Sequence, residues 1–106
     1  MAVKEVDNPY DETEYIRCAE ILKALGNATR LRIVEYLINS EDQESSVMDM
    51  INALNIPQAT ASQHLKILKF SDVVEGERHG TSIIYKIKGP SVKTLVNVIF
   101  QNLLKL

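Results

Sequence analysis

The sequence predicts a mainly α-helical domain with one β-hairpin, an α+β fold in which the hairpin stands between the fourth and fifth helices. Apolar residues recur at helical spacing over residues 13–70, and the period changes to two over residues 73–87. Helical spacing returns after Gly89-Pro90. The predicted order of elements is therefore α-α-α-α-β-β-α.

Length and composition indicate one globular domain. The chain has 106 residues, of which 45% are hydrophobic and 25% are charged, enough for a single modest core. We predict an acidic arm over residues 1–12, loose or only partly ordered, and one domain over residues 13–106. The sequence shows no membrane-length apolar run and no secretory signal core. Its single cysteine excludes an internal disulfide, so a cytoplasmic location without membrane contact is the simplest expectation.

Two helices are predicted before the first polar loop. Thr13 is suited to cap the first helix, which ends at Gly26. The apolar residues of this helix cover more of its circumference than one buried face requires, which indicates that a partner chain covers part of it. Asn27 is suited to cap the second helix, over about residues 28–39, and residues 39–45 are predicted to form a loop.

The third and fourth helices are predicted to be joined by a short turn. The third begins at Ser45 or Ser46 and ends near residue 54. Asn55 tolerates the left-handed conformation that such a turn needs, and Pro57 suits the first position of the next helix. Two helices connected in this way form a helix-turn-helix.

The fourth helix, over residues 57–70, has two different faces. Ala61, Leu65 and Leu68 fall at positions i, i+4 and i+7 and form one apolar stripe. The remaining positions are mostly polar, and none is acidic. Such a face suits phosphates and base edges, although an ordinary surface helix can have the same composition.

The β-hairpin follows directly and completes a winged helix-turn-helix. Residues 73–78 and 81–87 have strand-like patterns, and His79-Gly80 is predicted to be the turn between them. Ser91 is suited to cap a last helix that extends to about residue 104. A hairpin immediately after a polar helix without carboxylates favours a DNA-binding function.

The charge distribution gives weak additional support. The net charge is −2, and the first 14 residues carry five acidic side chains against one lysine. Residues 56–90 carry five basic side chains against three acidic ones. The predicted recognition helix and wing therefore lie in the basic half of an acidic chain, which is compatible with DNA binding and also with its absence.

The residues predicted to contact DNA lie on the fourth helix and at the wing. Glutamine can make two hydrogen bonds with adenine, and serine or threonine can bind phosphate or base. A basic side chain at the wing suits the minor groove or a phosphate. The predicted DNA-binding residues are Gln58, Thr60, Ser62, Gln63, His64, Lys66, Arg78, His79 and Gly80.

Each candidate has a structural alternative. His64 fits a DNA contact and a satisfied structural imidazole equally well. Lys66 is otherwise a solvated surface charge, and Arg78 a cross-strand partner of a glutamate. We expect Cys18 to be a small buried apolar residue rather than a reactive thiol or an intersubunit disulfide. Arg30 is expected to be structural.

Three segments resemble the ArsR/SmtB family of bacterial and archaeal transcriptional repressors. LKALGNATRLRI at residues 22–33 is similar to the family's ALGDPTRLRIL segment. LNIPQATASQHLKIL at residues 54–68 is similar to LxLSQSxxSxHLxxL, and RHGTSIIY at residues 78–85 is similar to RxGxxxxY. The resemblance implies a repressor that binds an operator and is released by a metal or another inducer.

The resemblance also implies a homodimer built from the first and last helices. This agrees with the excess of apolar residues on both. Two recognition helices would then read an inverted repeat. The predicted dimer-interface residues are Tyr15, Ile16, Ala19, Leu22, Val92, Leu95, Val96, Ile99 and Leu103.

The usual metal ligands of the family are missing. The Cys-x-Cys pair of many members is replaced by Val47-Met48-Asp49-Met50. Gly89, Ser91, Asn102 and Lys105 stand where other members have carboxylates and imidazoles. We therefore predict no metal at these positions, no cofactor, and an unidentified small-molecule or protein inducer or none.

An enzymatic function is not expected. The sequence has no paired carboxylates, no nucleophile–base motif and no phosphate-binding glycine loop. The predicted function is a homodimeric repressor that binds double-stranded DNA through residues near 57–70 and 73–87. The alternative is a winged-helix module that binds a protein partner without contacting DNA.

Overall fold

Five α-helices and a three-stranded antiparallel sheet form the fold over residues 9–104, the part of the chain that the computed structural model describes. The predicted acidic arm lies mostly outside these residues, and the first helix already begins within the arm's predicted range. The elements in chain order are α1 (Glu12–Leu25), α2 (Ala28–Asn39), β1 (Glu44–Ser46), α3 (Val47–Leu54), α4 (Gln58–Phe70), β2 (Val74–His79), β3 (Ser82–Ile87) and α5 (Ser91–Val98).

The N-terminal caps of the first three helices are side-chain oxygens. Asp11 accepts a hydrogen bond from the Glu14 amide at 2.8 Å, so the predicted cap at Thr13 is wrong and α1 begins two residues earlier than that cap implied. Because a carboxylate at a helix N-terminus also meets the positive end of the helix dipole, Asp11 is the stronger cap. Asn27 caps α2 as predicted, and Ser46 caps α3.

The core surrounds α2, which contacts α1, α3, α4 and the sheet. Ile33, Val34 and Leu37 on its inner face have no exposed surface. The predicted stripe on α4 is buried against this core. The other buried apolar residues of the described chain are Ala24, Leu25, Ile38, Met50, Ala61, Leu65, Leu68, Val73, Val74, Ile87, Val92 and Val96.

The sheet contains one strand more than the sequence predicted. β1 pairs with β3 in the strand order β1-β3-β2, with Glu44 opposite Lys86 and Ser46 opposite Ile84. The predicted loop over residues 39–45 is therefore wrong at its end. β1 has three polar residues and no apolar alternation, and Ser45 is buried against α2 through the Tyr36 hydroxyl, 3.2 Å away.

The wing turn is Gly80-Thr81, one residue later than predicted. His79 pairs with Ser82 as the last pair of the hairpin. Gly80 has a φ of 63°, whereas Thr81 is not among the described residues with positive φ. A two-residue turn with positive φ at its first position favours glycine there, and this requirement sets the register.

The last helix also differs from its prediction. Ser91 is its first residue rather than its cap, and Pro90 at the cap position offers no side-chain hydrogen bond. After Val98 the chain continues as a π-helical turn over Ile99–Leu103. The Asn102 amide donates to the Val98 carbonyl at 3.0 Å, a side-chain contact of the kind that competes with regular helical bonding.

Asp72 joins three parts of the fold. It follows α4 with a φ of 60°, the left-handed conformation that often ends a helix. Its carboxylate lies 3.0 Å from Lys88 Nζ, beyond β3, and 3.4 Å from Arg17 Nη1 on α1. The hydrogen bond and charge of Lys88, assisted by Arg17, lower the pKa of the Asp72 carboxyl below its usual value.

We expect Asp72→Asn to lower the Tm at neutral pH and low ionic strength. Asparagine tolerates the same positive φ, so the substitution removes the charge without adding backbone strain. Because the folded-state pKa of Asp72 is lowered, its stabilisation is complete above the unfolded-state value of about 3.9. The stabilisation is lost as the pH falls through the lower folded-state pKa.

The Tm values of Asp72→Asn and of the wild-type protein, measured from neutral pH down into the acid range, test this expectation. The matched control is Asp42→Asn, because Asp42 also has a positive φ of 55° but forms no ion pair within residues 9–104. The difference between Asp72→Asn and the wild-type protein should shrink in acid and in high salt. Equal Tm values for Asp72→Asn and the wild-type protein at neutral pH would contradict the assigned role.

Candidate nucleic-acid interface

The burial of α4 determines which side chains it presents to solvent. Ala61, Leu65 and Leu68 have no exposed surface, as the predicted stripe requires. Because these three positions share one face, the helix cannot rotate without exposing leucine. The candidates that are exposed on α4 are Gln58, Ser62, Gln63 and Lys66, while Thr60 and His64 are half-buried on its flank.

The turn before α4 leaves the first amides of the helix without a side-chain cap. Asn55 adopts the predicted left-handed conformation, with φ 53° and ψ 50°, and its amide bonds to the Ile51 carbonyl. Pro57 occupies the cap position and makes no side-chain hydrogen bond. Uncapped amides at a helix N-terminus are donors suited to an anionic group such as a phosphate.

The helix α4 and the wing line one cleft. The cleft has a volume of about 240 Å³ and brings Gln58 and Ser62 of α4 next to Thr81 and Ser82 of the wing. Thr81 and Ser82 were not among the predicted contacts, because the turn was predicted one residue too early. Ser46 and Met48, at the start of α3, also line the cleft and were not predicted.

The charged side chains of the wing are only partly free. His79 Nε2 lies 3.6 Å from Glu77 Oε2 on the same strand, and Lys86 Nζ lies 3.7 Å from Glu75 Oε1. Arg78 is exposed, and none of the ion pairs within residues 9–104 includes it. The structure therefore does not show the predicted alternative for Arg78, a glutamate partner. The Glu77 carboxylate beside His79 opposes a contact between His79 and a DNA phosphate.

The dimer-interface candidates fall into three groups by exposure. Tyr15, Ile16, Ala19 and Leu22 are exposed on α1, where Tyr15, Ile16 and Leu22 have 48%, 53% and 56% of their surface accessible. Leu95 and Ile99 are half-buried, and Leu103 is exposed. The remaining two, Val92 and Val96, are 6% and 1% exposed. They belong to the core of the same chain and are not part of its exposed apolar surface.

Cys18 is exposed, and its predicted burial is wrong for the single chain. The cause is that the outer face of α1 has no cover from residues 9–104. An open cleft of about 290 Å³ separates this face from α5, with Cys18, Leu22 and Leu95 along its walls.

Among the described residues, the positions at which the resembling family holds metal do not form a site. No three side chains of the His, Cys, Asp or Glu type within residues 9–104 come close enough to hold an ion. Asp49 lies in the first turn of α3 without a neighbouring thiol, and Gly89 has no side chain to offer. The donor groups at these positions within residues 9–104 do not fit a divalent metal.

The arrangement of a buried helix-turn-helix with a following wing defines a winged helix-turn-helix protein. Residues 25–77 match a family described as helix-turn-helix domain. The chain is 41% identical over 68 residues to the HTH-type transcriptional repressor SmtB of Mycobacterium tuberculosis, covering 64% of this chain. That match covers 48% of SmtB, about half of its length.

Two solved structures extend the similarity to most of the chain. The transcriptional repressor PagR of Bacillus anthracis has a TM-score of 0.76 at 30% identity, over 84% of this chain and 99% of that chain. The homodimeric winged helix-turn-helix DNA-binding domain Mb0332 of Mycobacterium bovis has a TM-score of 0.72 at 30% identity, over 89% and 86%.

The chain belongs to the ArsR/SmtB family of transcriptional regulators, and the predicted family and fold class are confirmed. The relatives named above are regulators rather than enzymes. Within residues 9–104, no helix is both long and apolar enough to span a bilayer.

We expect Gly76→Ala to destabilise the wing. Gly76 is opposite Tyr85, and a Cβ there would lie 2.9 Å from Tyr85 Cε1, closer than a carbon–carbon contact allows. The tyrosine ring would have to move from the wall of the cleft, at a cost of about 1–3 kcal/mol. Urea denaturation measures the loss.

Gly26→Ala is the matched control for that experiment. Gly26 ends α1, and a Cβ there would meet its nearest atoms at the ordinary distance of 3.4 Å. An unchanged midpoint in Gly76→Ala would show that the tyrosine ring does not pack on this glycine.

Proposed function

We propose that this chain is a homodimeric, sequence-specific DNA-binding repressor, with α4 in the major groove and the wing beside it. The observation that carries the proposal is the two-faced character of α4. One face is held in the core by Ala61, Leu65 and Leu68, and the other presents amides and ammonium groups with no carboxylate. This is the chemistry that base edges and phosphates require.

The proposed contacts follow from exposure and donor type. Gln58 and Gln63 are exposed amides that can pair with an adenine edge, and Ser62 and Thr60 are hydroxyls suited to phosphate. Arg78 is the proposed minor-groove or phosphate contact of the wing. Its exposure without an ion pair supports this role.

Local charge explains how an acidic chain can bind DNA. The net charge is −2, but Lys66, Lys69 and Arg78 form no ion pair within residues 9–104. Unpaired cations near the groove displace counterions from DNA, and this gain depends on the local field rather than on the total charge.

We expect Gln63→Ala to weaken binding to the operator by about 5- to 100-fold, because one bidentate base contact is lost. Lys66→Ala and Arg78→Ala should each lower the slope of log affinity against log salt concentration by about 0.9, since each removes one phosphate contact. Fluorescence anisotropy with a fragment of the protein's own promoter, titrated at several salt concentrations, measures both quantities.

Lys93→Ala on α5 is the control, because Lys93 is an exposed cation on a helix outside the proposed interface. Its salt slope should match that of the wild-type protein. Unchanged affinity and slope in all three interface variants would refute the site assignment. Promoter fragments that fail to bind, together with specific capture of a protein partner, would favour the alternative of a protein-interaction module.

The proposed dimer covers the apolar surfaces of α1 and of the turn Ile99–Leu103. Apolar side chains at Ile16, Leu22 and Leu103 are more than half exposed, and an apolar surface of this kind is stabilised by removal from water. The similar domain Mb0332 is described as homodimeric. Two copies would place their recognition helices about one helical turn of DNA apart, roughly 34–36 Å.

We expect Leu22→Glu to convert the dimer into a monomer, because a carboxylate would be buried without a partner in the apolar interface. Light scattering coupled to size-exclusion chromatography measures the mass. Ala53→Glu on α3 is the control, since it introduces the same charge at an exposed position away from α1 and α5. A monomeric wild-type protein, or a dimeric Leu22→Glu variant, would contradict this interface.

The proposed repressor acts independently of the usual metal positions of its family, since their donor groups do not fit a metal. An organic ligand, a protein partner or constitutive repression remains the proposed mode of control. Because operator DNA must be accessible to the protein, the proposal retains the predicted cytoplasmic location.

A further inference from the structure

Arg30, near the start of α2, connects three helices through hydrogen bonds. Its Nε donates to the carbonyl oxygen of Ala24 in the last turn of α1 at 2.6 Å. Its Nη1 lies 3.3 Å from His64 Nδ1 on α4. Its backbone amide is also fixed, by donation to the Asn27 side chain at 3.1 Å. The guanidinium therefore bridges α1 and α4, with one hydrogen bond to each helix.

The chemistry of this contact determines where the His64 ring carries its proton. A guanidinium has only donors, so His64 Nδ1 must accept through its lone pair. The neutral imidazole then has its proton on Nε2. No half-buried or buried side chain in the described range has a water-excluded nitrogen or oxygen without a partner. Since Nε2 has no hydrogen-bond partner within residues 9–104, it is at least partly accessible to solvent.

His64 lies beside the proposed DNA contacts. It follows Gln63 directly and stands one turn after Thr60, with which it shares a flank of α4. A ring in the Nε2–H tautomer offers a donor on this flank, whereas the opposite tautomer would present a lone pair to an anion. The tautomer therefore decides whether His64 attracts or repels a phosphate.

We propose that Arg30 is a positioning residue for DNA binding, which holds His64 as the Nε2–H tautomer so that this N–H donates to a backbone phosphate. The inference rests on the proposed function, because it names a further contact and its support at the same interface. It also combines the two roles predicted for His64, a structural imidazole and a DNA contact, because the structural bond to Arg30 prepares the DNA contact.

The first test needs no DNA. Nitrogen-15 NMR of the His64 ring in the wild-type protein at neutral pH should show Nδ1 unprotonated and Nε2 protonated. Arg30→Gln should shift these signals towards a mixture of tautomers. Arg32→Gln is the matched control, because Arg32 donates to the Leu54 carbonyl at 2.9 Å and makes no hydrogen bond to His64. An Nδ1–H tautomer in the wild-type protein would overturn the proposal, as would unchanged signals in Arg30→Gln.

The second test measures the affinity for the promoter fragment. His64→Ala and Arg30→Gln should each weaken binding roughly tenfold, the loss expected for one hydrogen bond to a charged group. The double variant should bind no more weakly than His64→Ala, because Arg30 acts through that ring. The salt slope should stay constant in His64→Ala, since a neutral donor releases no counterion.

The outcomes separate this inference from the proposed function. A wild-type protein that binds no DNA would refute the function, while the NMR result would still show whether Arg30 sets the tautomer. Additive losses in the double variant, or a wild-type affinity in His64→Ala, would overturn the inference and leave the function standing. If Arg30→Gln does not fold, the wild-type NMR spectrum still tests the tautomer of His64, and the affinity of His64→Ala still tests its DNA contact. Failure of either would overturn the inference.

Discussion

Leu65 and Leu68 pack with Ala61 into the core, and this contact fixes the rotation of α4 about its axis. A change in rotation would expose leucine side chains, whose burial contributes about 1.5–3 kcal/mol each. The turn at Asn55 sets where the helix begins, and α2 provides the surface on which it lies. The outward direction of Gln63 and Lys66 is therefore a consequence of packing on the opposite face.

The remainder of the fold supports this one helix from several sides. Asp72 closes the end of α4 and ties it by charge to α1 and to the segment after β3. Arg30 does the same near the middle of α4, with a hydrogen bond instead of an ion pair. Both contacts reach α1, the helix whose outer apolar face is proposed to meet a second subunit. The proposed assembly and the proposed DNA contact thus share the same supporting residues.

Local patterns predicted much of this molecule, and the errors arose where distant or competing contacts decide. The stripe on α4 and the cap at Asn27 depend on residues within one helix, so the sequence was sufficient. β1 was missed because its three polar residues become a strand only through pairing with Tyr85 and its neighbours, about 40 positions later. The contact between Arg30 and His64, 34 positions apart, left no local pattern either.

The division of α4 into two faces has a consequence for divergence within the family. Gln58, Ser62 and Gln63 are exposed and take no part in the core, so substitutions there leave the packing of the helix unchanged. Ala61 and Leu65 stand between them in sequence and have no such freedom. With the proposed DNA contacts at these positions, a gene duplicate of this regulator could acquire a different target sequence through a few exchanges, without passing through an unstable intermediate.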